Sequence, residues 1–423
     1  MKLFKMLFVL SLIVLFTGCS HTRDDNDTSI KNPSPSGSDE PSSTLEPSDS
    51  PTQEPEETLS PTSEPSPTTT NAPTKTEPEA TPTPVAGNKG SASDLLSHMS
   101  LEEKIGQMFF VRCNNETAKN DINKYHLGGF ILFANDFEGQ TKSSMKNLIN
   151  GYQEASELPM LIGVDEEGGM VNRISKYPAF RAVPFKSPQE LFQLGGFQLV
   201  KTDTIEKAIL LKSMGINVNL APVCDVSTNP KDFIYGRSFG KNPANTADYV
   251  KTVVKAMGSQ DIGSTLKHFP GYGNNVDTHT GIAVDNRTSK SFYNNDFIPF
   301  QAGINAGAGS ILVCHNIVKA FDPDYPASLS PAVHKILRQD LHFNGVIMTD
   351  DLSMDAIKEY TNNEEAAVLA VKAGNDLLIA SDYTVQIPAV IAAVKNKEIS
   401  MERINESVLR ILKWKASLGI LSE

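Results

Sequence analysis

Residues 93–423 are expected to fold as an α/β protein, a (β/α)8 barrel of the TIM type, preceded by a disordered stalk. Eight short apolar runs fall between residues 108 and 380. Their near-continuous Val, Ile, Leu and Phe content fits strands covered on both faces, as in a parallel sheet. Stretches with helical spacing separate most of them, and that alternation argues for α/β architecture. Eight strands in about 330 residues suit a barrel with insertions. An open doubly wound sheet is the alternative. No Walker loop or strand-linked G-x-G-x-x-G is present, and "GYGNN" (271–275) lacks the helix that should follow.

The chain opens with "MKLFKMLFVLSLIVLFTGC" (1–19): Lys2 and Lys5, an apolar run, then small residues before Cys19. This is the pattern of a secretory signal. The run from Met6 to Phe16 is short for a membrane span. "FTGC" resembles a lipoprotein processing site, so Cys19 is the expected lipidation site. The mature protein is then expected outside the cytoplasm, anchored to the cell membrane by lipid. Residues 20–92 read as a linker. Positions 20–90 hold 13 of the 26 prolines and no Phe, Trp or Tyr, so they cannot bury enough surface to offset chain entropy. As a coil this segment spans roughly 45 Å, and as an extended polyproline-like chain about 220 Å. It carries a net charge of −9, most of the −12 of the whole chain, and residues 91–423 carry −5. There is no basic face for nucleic acid.

The folded region begins near Ser93. "SLEEKIGQMFF" places Ser100 and Glu103 at capping-box spacing. The expected strands are "MFFVRC" (108–113), "GGFILF" (128–133), "PMLIGVD" (159–165) and "INVNLAPVCDV" (216–226). They continue with "GSTLKHF" (263–269), "GSILVCH" (309–315), "GVIMTD" (345–350) and "NDLLIA" (375–380). Expected helices include "TDTIEKAILLKSMG", "TADYVKTVVKAMGSQ", "SPAVHKILRQDL", "NEEAAVLAVKAG" and the closing "MERINESVLRILKWKASLG". Cys113, Cys224 and Cys314 each lie in or beside an apolar run, with no Cys-x-x-Cys pair, and are expected to be buried free thiols.

In a barrel, chemistry belongs at the C-terminal ends of strands. Asp165 closes one run, Asp225 follows "APVC", and Lys267 and His268 follow "STL". His315 closes "ILVCH", and Asp350 and Asp351 close "VIMTD". For Asp225 and His315 taken alone, a strand-end cap or buried pairing partner is the favoured reading. Five polar strand ends together favour a functional mouth. "LKHFPGYGNNVDTHTG" (266–281) adds Asp277 and His279 on a glycine-bearing loop.

The motifs "MSLEEKIGQMF" (99–109), "GVDEEGGMVNRI" (163–174), "GRSFG" (236–240), "LKHFPGYG" (266–273), "DTH" (277–279) and "GVIMTDDLSM" (345–354) occur in this order. As a set they resemble glycoside hydrolase family 3, in its β-N-acetylglucosaminidase branch, over about residues 95–420. The resemblance implies a barrel catalytic domain, retention of anomeric configuration, and no metal or organic cofactor. It implies release of terminal β-linked N-acetylglucosamine, often from cell-wall (peptidoglycan) fragments. Asp350 matches the nucleophile, His279 the acid/base and Asp277 its partner. Asp165, Arg173, Arg237, Lys267 and His268 match residues that bind the terminal sugar. Tyr272 departs from the family, which usually has His or Asn there.

Chemistry agrees with these assignments. A retaining glycosidase needs an ionised nucleophile below the anomeric carbon. An imidazole made more basic by a nearby carboxylate can replace the usual second carboxylic acid. Asp351 is the alternative nucleophile, and Glu166 or Glu167 the alternative proton donor. The alternative functions are a β-glucosidase, a phosphorylase of the same family, and a non-catalytic glycan-binding lipoprotein. A monomer is expected.

Overall fold

The structure, a computed structural model, describes residues 91–278 and 281–422. Cys19, the linker through residue 90 and His279 lie outside the described residues. Each of the eight expected runs carries a strand. These are β1 (Phe109–Arg112), β2 (Gly129–Leu132), β3 (Leu161–Val164) and β4 (Val218–Asn219). They continue with β5 (Gly263–Phe269), β6 (Ser310–Val313), β7 (Val346–Thr349) and β8 (Leu378–Ala380). The strands pair in parallel in the order β7-β6-β5-β4-β3-β2-β1-β8. A parallel bridge from Met348 to Leu377 joins the two edges and closes the ring. The sheet is a barrel and not an open doubly wound sheet.

Side-chain size explains part of that closure. Phe110 of β1 lies over Gly129 of β2 and Gly163 of β3, and a Cβ on Gly163 would come within 2.4 Å of the phenyl ring. Glycine there leaves room for a large ring inside the barrel. Full burial of such a ring contributes about 1.5–3 kcal/mol.

β4 is shorter than the expected 216–226. Pro222 has no N–H to give to a ladder, and regular pairing stops at Asn219. The chain still runs beside β5: Thr265 N–H donates to the Ala221 carbonyl at 2.9 Å, and Cys224 N–H to the Lys267 carbonyl at 2.6 Å. This irregular extension carries Asp225 to the side of His268.

The helical stretches form largely where expected. Ser100 and Glu103 cap Leu101–Gln107 reciprocally, at 3.2 and 2.6 Å. "TDTIEKAILLKSMG" lies in the second arm of Pro188–Ser213, which breaks at Gly195 and Gly196. "SPAVHKILRQDL" is helical only over Pro331–Lys335, then widens into a π-helical turn over Ile336–Asp340. Cys224 and Cys314 are buried free thiols. Cys113 is half-buried, and burial pushes its thiol up to about 12.

The last helix, Met401–Ser417, packs on the N-terminal mouth of the barrel. Its Trp414 lies against Gly263 and Gly309, where a Cβ on Gly309 would fall 2.1 Å from the indole Nε1. Lys415 beside it is fully buried and donates to Gln107 Oε1 at 2.7 Å. Burial pushes this lysine down to about 7. In the unfolded chain a lysine holds its proton up to about pH 10.4. Between those values the unfolded state binds the extra proton, so stability rises with pH; below the lower value the penalty is complete. Lys415→Met should therefore raise the melting temperature more at about pH 6 than at about pH 9.5. Equal changes at both pH values would show that the buried ammonium carries no such cost.

Candidate active site

The polar strand ends converge at the C-terminal mouth of the barrel. Asp165 follows β3, Lys267 and His268 lie on β5, and Asp350 follows β7; with Arg173 and Arg237 they line one cavity of about 360 Å³. Asp277 is half-buried on the loop after β5 and is not among the described residues lining the cavity. His279, its sequence neighbour two positions on, lies outside the described residues.

A chain of charges runs through the cavity wall. Lys267 Nζ lies 2.6 Å from Asp165 Oδ1 and 2.7 Å from Glu167 Oε1. Arg237 donates to Glu167 through Nη2 at 2.7 Å and Nε at 3.1 Å. The same Nη2 lies 3.1 Å from His268 Nε2, and His268 Nδ1 lies 2.8 Å from Asp225 Oδ2. A guanidinium can only donate. His268 Nε2 must therefore accept, and Nδ1–H donates to Asp225. This arrangement fixes the orientation of the His268 ring between Arg237 and Asp225.

Burial alone would push the Glu167 carboxyl up. Lys267 and Arg237 outweigh it and hold Glu167 well below the usual carboxylate range. For Lys267, burial works against the charge, and Asp165 and Glu167 reverse this and push its pKa up. Removing one partner from a buried charge cluster is costly because the others stay behind. Glu167→Gln should destabilise the fold by about 3–5 kcal/mol, measured by urea unfolding. A loss below about 1 kcal/mol would put Glu167 with exposed pairs.

Glu166 has a different task. It is fully buried, and its carboxylate accepts the backbone N–H groups of Arg173 and Ile174, each at 2.8 Å, and of Ser175 at 3.2 Å. It fixes the hairpin formed by Glu166–Gly168 and Val171–Asn172, from which Arg173 reaches the cavity. Arg173 Nε is buried without a hydrogen-bond partner among the described residues. A bound acceptor would remove that cost.

At the end of β7, Asp350 N–H donates to the Val313 carbonyl at 2.9 Å, and Asp350 Oδ1 accepts Asp351 N–H at 2.9 Å. The Asp351 carboxylate accepts Ser353 N–H at 2.9 Å and the Ser381 hydroxyl at 3.1 Å. His315 Nε2 lies 3.0 Å from the Asp351 carbonyl, and its Nδ1 is 2.7 Å from Ser328 Oγ. Asp225 and His315 are thus buried partners at strand ends, as favoured from the sequence.

Two residues of the site escape the sequence reading. Arg112 ends β1, lines the cavity, and stacks on Phe133 with 4.4 Å from guanidinium carbon to ring centroid. It carries the same signal as the others, a charged residue closing an apolar run. Glu167 appears in the sequence only as a reserve proton donor. Among the described residues, Glu103, His126 and Glu157 place donor atoms within 4.8 Å of one another and could hold a metal ion. They lie on segments leading into β1, β2 and β3, at the opposite end of the barrel from the cavity.

Residues 100–414 match the glycosyl hydrolase family 3 N terminal domain. The chain belongs to glycosyl hydrolase family 3. It is 28% identical over 360 residues to Beta-hexosaminidase LpqI of Mycobacterium tuberculosis, covering 82% of this chain and 90% of that one. It is 30% identical over 332 residues to Beta-hexosaminidase A of Pseudoalteromonas piscicida, covering 70% of this chain but 54% of that protein's length. The chain therefore spans about half the length of this second relative. Among solved structures, a family 3 beta-N-acetylglucosaminidase from Paenibacillus sp. superposes with a TM-score of 0.72 at 29% identity, over 76% of this chain and 63% of that one. LpqI superposes with a TM-score of 0.70 at 27% identity, over 78% and 98%.

Proposed function

We propose that this family 3 barrel is a β-N-acetylhexosaminidase. It is a retaining exo-glycosidase that releases terminal β-linked N-acetylglucosamine through a covalent glycosyl-aspartate. The observation that carries the proposal is the single cavity holding Asp350 together with Asp165, Arg173, Arg237, Lys267 and His268. The printed names of the relatives support the choice of sugar.

In this reading Asp350 attacks the anomeric carbon. The Asp351 N–H donates to the Asp350 carboxylate and orients it. Asp351 suits the role less, because its own carboxylate is taken up by Ser353 and Ser381. Asp165 accepts from sugar hydroxyls, and Lys267, Arg173 and Arg237 donate to the sugar. His279, made more basic by Asp277, protonates the leaving oxygen and then takes a proton from water. Glu166 and Glu167 are poor substitutes: one is locked in its hairpin, and the other is held ionised with no proton to give. Cell-wall fragments ending in N-acetylglucosamine are the proposed natural substrates.

The test is turnover of nitrophenyl N-acetyl-β-glucosaminide, with product stereochemistry followed by NMR. Release with retention is expected. Release with inversion, or cleavage of β-glucosides alone, would overturn the reading. A sugar 1-phosphate formed only when phosphate is present would replace water by phosphate as the acceptor.

The N-terminal sequence supports a lipid anchor on Cys19, which places the enzyme outside the cytoplasm at the end of a Pro/Ser/Thr-rich tether. Cys19→Ala should move the protein from the membrane fraction to the soluble fraction. A wild-type protein already soluble would refute the anchor.

A further inference from the structure

The loop from Pro270 to Asp285 carries Asp277 and His279, and its anchoring points to a residue that no catalytic assignment includes. Its near end is fixed by Tyr272, whose N–H donates to Asp225 Oδ1 at 2.7 Å. Its far end is fixed by Arg287, which donates to Asp285 at 2.8 Å, Asp296 at 2.9 Å and the Gly271 carbonyl at 2.9 Å. Between these ends the Tyr272 hydroxyl lies 2.6 Å from Thr278 Oγ1.

Thr278 sits between Asp277 and His279 in sequence. It is fully buried, while Val276 two residues earlier is 64% exposed. The loop is thus pinned inward at one side chain, that of the residue lying between the two members of the proposed dyad in sequence. The other end of the pin is rigid. Tyr272 is 1% exposed, and its ring stands edge-on to His268 with centroids 5.1 Å apart. Asp225 binds the backbone N–H of both His268 and Tyr272. One carboxylate therefore sets the sugar-side histidine and the tyrosine in a common frame. Burial pushes the phenol up, so it stays a neutral hydroxyl able to donate or accept.

We infer that Tyr272 is a positioning residue for proton transfer: through Thr278 it holds the backbone beside Asp277, the proposed partner of the acid/base, against the frame that grips the sugar. This rests on the function proposed above. It also gives a use to the departure at position 272, since the Tyr272 hydroxyl reaches Thr278 directly.

The test uses the full chain and two kinds of substrate. One is a β-N-acetylglucosaminyl disaccharide, whose sugar alkoxide leaves poorly without a proton. The other is an aryl glycoside with an acidic phenol, whose departure needs little help. Tyr272→Phe removes one oxygen and keeps the ring. It should lower kcat/KM on the disaccharide by about 10-fold or more, within the roughly 10²-fold that a small misplacement can cost. The burst of phenol from the aryl glycoside should change by less than about 2-fold, because an acidic phenol departs with little proton donation. Thr278→Val should reproduce the split, and Thr278→Ser, which keeps the hydroxyl, should restore disaccharide cleavage. The double variant Tyr272→Phe/Thr278→Val should lose no more than either single one, because both remove the same bond.

Equal losses on both substrates, no loss on either, or additive losses in the double variant would overturn the inference. If Tyr272→Phe fails to fold, the Thr278 pair decides alone. If His279→Ala splits the two substrates and the Tyr272 and Thr278 variants do not, only this inference fails. If the wild type cleaves neither substrate, the proposed function fails and this inference with it.

Discussion

Asp350→Asn should abolish turnover while leaving the barrel folded. The amide keeps the shape of the side chain and can still accept Asp351 N–H through its oxygen, so melting temperature should hardly move. It cannot attack the anomeric carbon, and the covalent intermediate has no other route. The expected fall in kcat is on the order of 10⁴–10⁶-fold, the scale seen when a nucleophile is deleted from a group of residues that act together. A 2-fluoro sugar with a good leaving group slows breakdown of the intermediate and should label Asp350 in the wild type. Peptide mapping then gives a direct answer. Label on Asp351, or on a residue of another strand, would move the nucleophile. No label in an active enzyme would argue against a covalent intermediate altogether.

His279→Ala should hurt disaccharides far more than activated aryl glycosides. The first chemical step must protonate a sugar oxygen that leaves poorly; a phenol of low pKa leaves without that help. General acid–base catalysis contributes about 10²–10⁴-fold, and a loss in this range is expected on disaccharides. With the aryl substrate the first step survives, but nothing activates water, so the glycosyl-enzyme should accumulate and give a burst. Asp277→Asn should act on the same step through basicity. Loss of the neighbouring negative charge lowers the histidine's pKa and moves the alkaline limb of the pH–rate profile downward. Equal and small losses on both substrates would make His279 a bystander. The reserve donors offer little in that case. Glu166 is held by three N–H groups of its own hairpin region, and Glu167 lies between two cations that keep it ionised.

The eight strands were legible because a parallel barrel buries both faces of each one. Burial of that kind writes itself into consecutive residues, as in "FILF" and "VIMT", without reference to what lies across the sheet. The strand-end charges were legible for a related reason. Asp165, Lys267, His268 and Asp350 each end an apolar run, where the next position faces the mouth of the barrel. The shortness of β4 follows from Pro222 only once β5 is known to lie alongside and to require N–H donors.

Partner choice was not legible. Glu166 and Glu167 are adjacent and chemically alike in "DEEGG", yet one fastens a hairpin and the other neutralises Lys267 and Arg237. Arg112 looks in sequence like any other charge after a strand. Tyr272 looks like a departure from a motif, and its bond to Thr278 depends on how the loop folds back. The contact between Lys267 and Asp165 spans 102 positions, and that between Arg237 and Glu167 spans 70. Such pairings exist only when β3, β4 and β5 lie side by side in a closed ring. Apolar periodicity records whether a residue is buried, a property of its own few neighbours in the chain. Which charge meets which is set by strand order and register, and by the energetic need of each buried ion to find a partner there.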